Sequence, residues 1–156
     1  PQNIVIGGAS GALPPVIGWA IATNSISLES IAFFLIIFFW TPSHFWALSL
    51  YKADDYKKAG IPMLPVTNGI QDTKKNIFIY SLLMVPTIIF PYYIGFVGEI
   101  FLSLSLILTF YYNLICFQLY NYKLGKFNIK KAKHVFSYSI VYLFLIFVFF
   151  LIDKIL

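Results

Sequence analysis

The sequence predicts an all-α fold, a polytopic bundle of membrane-spanning helices. Of its 156 residues, 60% are hydrophobic and 20% are aromatic. Only 11% are charged, and the mean hydropathy is +0.82. Soluble domains have about 45–50% apolar and about 25% charged residues. This composition excludes an ordinary soluble domain and favours a protein with several transmembrane helices.

Five apolar runs are each long enough to cross a bilayer, which takes about 20 mostly apolar residues. They cover residues 4–23, 31–51, 77–96, 100–120 and 134–152. The connectors between them are 24–30, 52–76, 95–99 and 121–133. The sequence therefore predicts five spans in this chain, with no linker that would separate two domains.

The first span contains two pairs of small residues at the spacing used for helix packing. Gly7 and Gly11 form a GxxxG pair, and Gly8 with Ala12 repeats the spacing one residue on. Small residues at this spacing let a second helix approach closely in a membrane. A phosphate-cradling loop would need a Lys-Ser/Thr pair that this stretch lacks, so we interpret these glycines as packing residues.

The predicted spans also contain several prolines and the single cysteine. Prolines inside the spans predict kinked or opened helices, as in a bundle that lines a cavity. They are Pro14, Pro15, Pro42, Pro86 and Pro91. The lone cysteine, Cys116, excludes a disulfide framework and a thiolate metal cluster, and we interpret it as a small buried hydrophobe.

Positive charge is distributed unevenly, and this predicts the orientation of the spans. The net charge is +5, with eleven basic residues, all lysine. Ten of the eleven lysines fall in connectors 52–76 and 121–133. Because two spans separate these connectors, both lie on one side of the membrane, and the positive-inside rule makes that side cytoplasmic, or the matrix in a mitochondrion. We therefore attribute the positive charge to membrane orientation and expect no nucleic-acid partner.

The second span presents an aromatic, histidine-bearing face. At 100° per residue, Trp40, His44 and Tyr51 point in similar directions on a helix. If the helix continued beyond the span, Asp55 would lie within about 20° of His44 and about 16 Å further along the axis. Asp54 would point roughly 80° away. The sequence thus predicts that this face ends at an acidic mouth.

The acidic mouth has two interpretations. Asp54 and Asp55 are followed by Lys57 and Lys58, which fits a solvated loop with local charge pairs. The same residues fit a magnesium–diphosphate site, because Mg²⁺ is usually held by one or two carboxylates together with substrate phosphates. His44 has three interpretations: a packed histidine bonded to a neighbouring helix, a proton donor near substrate, and a haem-iron ligand.

Two long blocks and a basic loop resemble a known family. The blocks are "PQNIVIGGASGALPPVIGW" and "WTPSHFWALSLYKADDYKKAGIPMLPV", and the basic loop precedes the last span. With them, the chain resembles the UbiA-type intramembrane prenyltransferases, and within these the branch that farnesylates haem. The resemblance implies nine helices around a central cavity, with two acidic motifs on cytoplasmic loops that hold Mg²⁺ and the prenyl diphosphate.

The resemblance covers residues 1–156 and places them in the C-terminal part of a single transmembrane prenyltransferase domain. The second acidic motif has its counterpart in Asp55, Tyr56 and the segment 60–65. The first motif, an Asn/Asp-rich cluster, has no counterpart here. We therefore expect this chain to begin partway through a longer protein and to be inactive by itself.

The resemblance also implies a reaction and a set of site residues. A farnesyl group passes from farnesyl diphosphate to a vinyl group of haem b, with addition of water, and gives haem o and diphosphate. Asp54 and Asp55 are the expected catalytic residues and Mg²⁺ ligands. The expected substrate-binding residues are Asn3, Trp40, His44, Tyr51, Tyr56, Lys57 and Lys58. Aromatic faces near the site, among them that of Trp46, can stabilise an allylic cation, although such residues also pack and anchor membrane helices.

The expected partners are haem b, farnesyl diphosphate, the lipid membrane and the downstream haem-modifying enzymes of terminal oxidase assembly. The expected location is the bacterial inner membrane, or the mitochondrial inner membrane for an organellar protein. Two other functions stay open at this point. A secondary transporter would place ionisable groups near the midplane of several helices. A non-catalytic membrane anchor or assembly subunit would need no complete acidic site.

Overall fold

The computed structural model describes residues 3–122 and 128–155, and within these ranges every regular element is a helix. The five long helices are α1 (Asn3–Thr23), α2 (Leu28–Tyr51), α5 (Gly69–Tyr93), α6 (Glu99–Tyr120) and α7 (Ile129–Ile155). Two short helices, α3 (Ala53–Lys58) and α4 (Leu64–Thr67), connect α2 to α5. All five long helices have the length and hydropathy to cross a membrane. The predicted all-α fold with five spans is confirmed.

Some helices extend beyond the predicted spans. The apolar run of the third span starts near residue 77, yet α5 begins at Gly69. Similarly, α7 begins at Ile129 rather than near residue 134. An apolar run marks only the part of a helix that lies in hydrocarbon, while polar residues continue the helix into the interface. Much of the predicted connector 52–76 is consequently helical.

Four of the long helices form a closed ring. Helix α2 packs on α5, α5 on α6, α6 on α7, and α7 returns to α2. Helix α1 packs on α2 and lies outside the ring. Only 11% of the α1 span is buried, against 44% of the α2 span. Most of α1 therefore faces away from the ring.

Only one of the two small-residue pairs in α1 packs against a helix. Gly8 and Ala12 are buried, and a Cβ added to Gly8 would lie 3.1 Å from Thr41 Cγ2 of α2. By contrast, a Cβ added to Gly7 or Gly11 would meet no atom within 4 Å. Among residues 3–122 and 128–155, no helix packs against the Gly7–Gly11 pair. The reason is geometric, because the two pairs lie on different faces of α1.

Hydroxyl groups link the ring helices through its centre. Tyr112 of α6 and Tyr142 of α7 are fully buried. The Tyr112 hydroxyl shares a hydrogen bond of 2.8 Å with Ser43 of α2, and the Tyr142 hydroxyl one of 2.9 Å with Thr109 of α6. The two rings stack with centroids 5.1 Å apart. Polar side chains in a membrane bundle bond across helices in this way because lipid offers them no partner.

The prolines lie within α1, α2 and α5 and end none of them.

Both ends of α6 are bonded by charged side chains from its neighbours. At the N-terminus, Asp153 of α7 accepts hydrogen bonds from the backbone N–H groups of Gly98 and Phe101, at 2.8 and 3.2 Å. At the other end, the buried Lys74 of α5 donates to the Tyr122 carbonyl at 3.1 Å. A carboxylate at a helix N-terminus and a cation at a C-terminus both complement the helix dipole. The sequence had suggested a loop position for Lys74, whereas the structure buries it.

The two lysine-rich connectors meet at one end of the bundle. The Lys133 ammonium of α7 lies 5.7 Å from the Tyr51 ring at the end of α2, and Lys74 reaches Tyr122 at the end of α6. Lys123 and Lys126 of the second connector lie outside the described residues. We call this the lysine end of the bundle. Asp153 and the α1–α2 connection lie at the opposite end.

We predict that Asp153→Ala destabilises the bundle by roughly 1–2 kcal/mol, because two N–H groups at the start of α6 lose a charged cap. Thermal unfolding of the purified protein in detergent measures the effect. Glu99→Gln is the matched control, since it removes a carboxylate from the first turn of the same helix. Equal stability of Asp153→Ala and the unchanged protein would contradict the assigned cap.

Candidate functional site

The acidic segment forms its own short helix at the lysine end. Helix α2 ends at Tyr51, and Lys52 (φ −113°, ψ 15°) separates it from α3. The expected continuation of α2 as far as Asp55 is therefore wrong, and the projected direction of Asp55 along the α2 axis does not apply. The backbone at Lys52 leaves the helical conformation and turns the chain before the carboxylates. Asp54 and Asp55 occupy the first turn of α3, where carboxylates suit the helix dipole.

Both carboxylates of α3 are exposed, and one of them forms an ion pair. The Lys52 ammonium lies 3.1 Å from Asp55 Oδ2. An exposed pair of this kind is worth about 0–1 kcal/mol, so an incoming ligand can displace it at little cost. Lys57 and Lys58 follow in the last turn of α3 and are also exposed. The segment thus carries two acids and three cations on the surface.

A glycine turn closes the C-terminal end of α3. Gly60 has φ +67°, a left-handed conformation in which a side chain would be strained. The Gly60 N–H donates to the Lys57 carbonyl, and the Ile61 N–H donates to the Tyr56 carbonyl. These two bonds form a Schellman motif, the common way of closing a helix C-terminus. Helix α3 therefore has a fixed end, and half-buried Tyr56 lies within that closing turn.

A cavity of about 370 Å³ lies between α1 and α2. Its wall includes Asn3, Gly7, Gly11, Trp40 and Phe45. The Asn3 Nδ2 group lies 3.7 Å from Met63 Sδ in the connection between α3 and α4. The Asn3 end of the cavity therefore contacts the connection that follows α3. Among the expected substrate-binding residues, this cavity brings together Asn3 and Trp40.

His44 faces α7 rather than the cavity wall. Its side chain is 7% exposed, and its Nδ1 lies 2.6 Å from Ser139 Oγ. The ring stacks between Trp40 and Phe136, with centroid distances of 4.3 and 4.6 Å. Trp40 supports the same contact, because its indole N–H donates to the Ser139 carbonyl at 2.9 Å. The structure thus shows the helix-to-helix hydrogen bond that was one interpretation of this histidine.

Ser139 occupies one of the two ring nitrogens of His44. The Ser139 hydroxyl lies 2.6 Å from His44 Nδ1 and 2.6 Å from the Phe136 carbonyl. It has one hydrogen, which it can donate to either group, so His44 Nδ1 can act as donor or as acceptor. With the proton on Nδ1, Nε2 would be the atom that accepts a proton or binds iron.

Tyr51 and Trp46 pack against other helices. Tyr51 contacts Phe136 edge to face at 6.1 Å and lies under the Lys133 ammonium. Trp46 is buried and meets Tyr80 of α5 edge to face at 5.2 Å. The structure therefore divides the expected aromatic face. Trp40 contributes to both the cavity and the α7 contact, whereas Tyr51 and Trp46 belong to helix interfaces.

Sequence reasoning did not predict the site contacts of three residues, although it had included Met63 in the segment 60–65. Lys52 pairs with Asp55, and the three-residue spacing of opposite charges is a signal that could have identified it. Ser139 and Met63 contact His44 and Asn3 from distant parts of the chain. No local pattern predicts such contacts, because they depend on how the helices pack.

Two carboxylates with adjacent lysines fit the partial site expected for Mg²⁺. The ion prefers oxygen ligands and commonly takes one or two carboxylates, with substrate phosphates completing its coordination. Within residues 3–122 and 128–155, no group of three or more His, Cys, Asp and Glu side chains is positioned to hold a metal ion. Asp54 and Asp55 alone therefore supply fewer ligands than such an ion needs, and further oxygen atoms would have to complete its coordination.

Comparisons with known proteins give a consistent result. The model of the UbiA prenyltransferase family matches residues 1–141. The chain is 75% identical over 156 residues to a protoheme IX farnesyltransferase of Pelagibacter ubique, covering 100% of this chain and 52% of that protein. It is 49% identical over 156 residues to the protein of the same name from Parvibaculum lavamentivorans, covering 49% of it. The chain thus spans about half the length of the curated relatives it matches. No solved structure matches the chain.

Proposed function

Because the chain belongs to the UbiA prenyltransferase family, we propose that it supplies one half of an intramembrane enzyme that farnesylates haem b. The observation that carries the proposal is the acidic helix α3, followed by a connection that contacts Asn3 at one end of the cavity between α1 and α2. The curated relatives, named protoheme IX farnesyltransferases, support the choice of acceptor and donor. The other acidic motif and the rest of the central cavity would come from the remaining half of the full-length protein.

In this proposal the diphosphate of farnesyl diphosphate binds at α3. Asp54 and Asp55 are the carboxylates that would hold Mg²⁺, which neutralises phosphate charge when bound. Lys57 and Lys58 bind the remaining phosphate oxygens, and Lys52 joins them once its pair with Asp55 opens. Concentrating positive charge there stabilises the diphosphate as the farnesyl carbon–oxygen bond breaks. Tyr56, in the closing turn of α3, lines the same end of the site.

The farnesyl chain lies in the apolar cavity, and its reacting carbon faces the acidic end. Asn3 is polar and adjoins that end, so it contacts the diphosphate. The Trp40 ring can stabilise positive charge on the allylic carbon as the leaving group departs. The allylic carbon, whose bond to the diphosphate oxygen has broken, then forms a carbon–carbon bond to a haem vinyl group. Water adds to the resulting cation and loses one proton, which leaves the hydroxyl, and diphosphate is the leaving group. The apolar walls keep other water away from the cation until that bond has formed.

The five long helices fit a multi-pass membrane protein. We place this protein in the bacterial inner membrane, or in the mitochondrial inner membrane for an organellar relative, with the lysine end on the cytoplasmic or matrix side. The warrant is the positive-inside rule, since the lysine-rich connectors share that end. Farnesyl diphosphate has a charged diphosphate group on an apolar chain, and the diphosphate would reach α3 from the cytoplasmic side. The haem o produced would remain in the membrane for downstream haem-modifying enzymes.

We predict that Asp55→Asn in the full-length protein lowers haem o formation by roughly a hundredfold or more, because a group that holds the leaving diphosphate is lost. Haem o extracted from membranes and separated by chromatography provides the measurement. Asp72→Asn is the matched control, since Asp72 is an exposed acid in the first turn of α5. Normal haem o formation by Asp55→Asn at limiting Mg²⁺ would reject the role of α3.

A haem contact by His44 in the full-length protein would have to use Nε2, because Nδ1 is bonded to Ser139 and the ring faces α7 rather than the cavity between α1 and α2. His44→Ala should then abolish haem binding, measured by the absorbance spectrum of the purified protein. Ser139→Ala should keep haem binding, because it leaves Nε2 in place, and should cost about 1 kcal/mol of unfolding free energy through loss of an interhelical hydrogen bond. Haem binding that persists in His44→Ala would leave His44 as a packing residue.

The orientation can be tested with single cysteines in a Cys116→Ala background. Cysteines introduced at Lys58 and Lys130 should react with an impermeant maleimide only after the cytoplasmic side of the membrane is opened. A cysteine at Ser25, in the opposite connector, should react from outside. Labelling of positions 58 and 130 from different sides would refute the five-span topology.

A further inference from the structure

A lipid-facing groove of about 500 Å³ runs between α5 and α6, away from the site described above. Its wall is formed mainly by Phe78, Leu82 and Val85 of α5 and by Leu106, Leu114 and Phe117 of α6. Leu82 and Leu114 are 46% and 40% exposed, so the groove is open on the outside of the bundle.

The two polar side chains in this wall, Thr109 and Asn113, already have hydrogen-bond partners inside the bundle; Thr109 bonds to the Ser105 carbonyl and to the Tyr142 hydroxyl. Asn113 accepts a hydrogen bond from Ser81 at 3.0 Å and donates to the Thr109 carbonyl at 2.9 Å. The groove therefore presents an apolar surface to a hydrocarbon chain, and a ligand there needs no polar group along its length.

The groove leads to a second cavity that contains a cation. This cavity of about 320 Å³ is lined by Phe117, Gln118, Asn121, Tyr122 and Lys131, so Phe117 belongs to both walls. The Lys131 ammonium lies 5.3 Å from the Tyr122 ring centroid and 3.5 Å from the Gln118 carbonyl. These contacts keep the ammonium at the mouth of the groove, at the lysine end of the bundle.

The length of the groove corresponds to one membrane leaflet. Leu106 and Phe117 are eleven positions apart on α6, which is about 16 Å along a helix axis. The hydrocarbon core of a bilayer is about 30 Å thick, so one leaflet contributes about half of this. A chain that enters beside Lys131 would reach Leu106 near the middle of the membrane.

We propose that this groove and its mouth bind an anionic phospholipid, with one acyl chain along Phe78, Leu82 and Leu114 and the phosphate beside Lys131. Charge complementarity selects the occupant, because basic pockets at the cytoplasmic ends of transmembrane helices bind anionic headgroups. Gln118 and Asn121 at the mouth can donate to phosphate oxygens. The lateral opening admits a lipid directly from the bilayer. This lipid site is separate from the cavity between α1 and α2.

The test is a lipid titration of the purified full-length protein by native mass spectrometry, with phosphatidylglycerol and phosphatidylcholine of equal chain length. The unchanged protein should bind phosphatidylglycerol more tightly. Lys131→Gln should weaken phosphatidylglycerol binding about fivefold, the effect of one lysine near an anionic lipid, and leave phosphatidylcholine binding unchanged. Lys130→Gln is the matched control, because Lys130 is exposed on α7 and is absent from both cavity walls.

A second variant tests the acyl-chain part of the site. Leu114→Trp fills the groove and should weaken binding of both lipids, while circular dichroism reports whether its helices remain folded. Equal phosphatidylglycerol affinity of Lys131→Gln, Lys130→Gln and the unchanged protein would overturn the headgroup assignment. A folded Leu114→Trp protein with unchanged lipid binding would overturn the groove. Dimers that persist without lipid and disappear in Leu114→Trp would assign the groove to a second copy and also overturn the proposal.

Discussion

The exclusion of water from the bilayer interior is the constraint on which this structure depends. A polar group without a hydrogen-bond partner costs several times more free energy in hydrocarbon than at a surface that water can reach. Several polar side chains of the ring accordingly bond across helices, as Ser43 does with Tyr112 and Thr109 with Tyr142. The apolar surfaces of helices give little discrimination among partners in lipid. These hydrogen bonds therefore help to specify which helices are neighbours and in which register they pack.

The same constraint separates the chemistry from the scaffold. Ionised side chains of α3 lie beyond the end of α2 and are exposed, while the cavity between α1 and α2 is mostly apolar. A charged leaving group and a hydrocarbon chain thus have adjoining but different environments. The Schellman turn at Gly60 keeps α3 at this boundary. Lys74, from the same connector 52–76, stabilises the fold instead, because it donates a hydrogen bond at the end of α6.

Much of the fold could be predicted from sequence because hydrocarbon thickness imposes a length on each span. The five runs, the shared end of the lysine-rich connectors and the acidic segment were all visible as local patterns. Packing was not visible in this way. The spacing of Gly7 and Gly11 equals that of Gly8 and Ala12, and only the position of α2 decides between them. Extrapolating α2 to Asp55 failed because the break at Lys52 has no proline or glycine to announce it.

The contact between α2 and α7 has a consequence for biosynthesis. His44 and Trp40 bond to Ser139, which lies 95 and 99 positions further along the chain. Ribosomes add about 5–20 residues per second, so α2 precedes its partner by roughly 5–20 seconds. During that interval the nascent α2 carries a histidine and a tryptophan that have not yet met Ser139. The ring can close only when α7 enters the membrane. Until then, the polar side chains of α2 would be stabilised by the insertion machinery or by lipid headgroups.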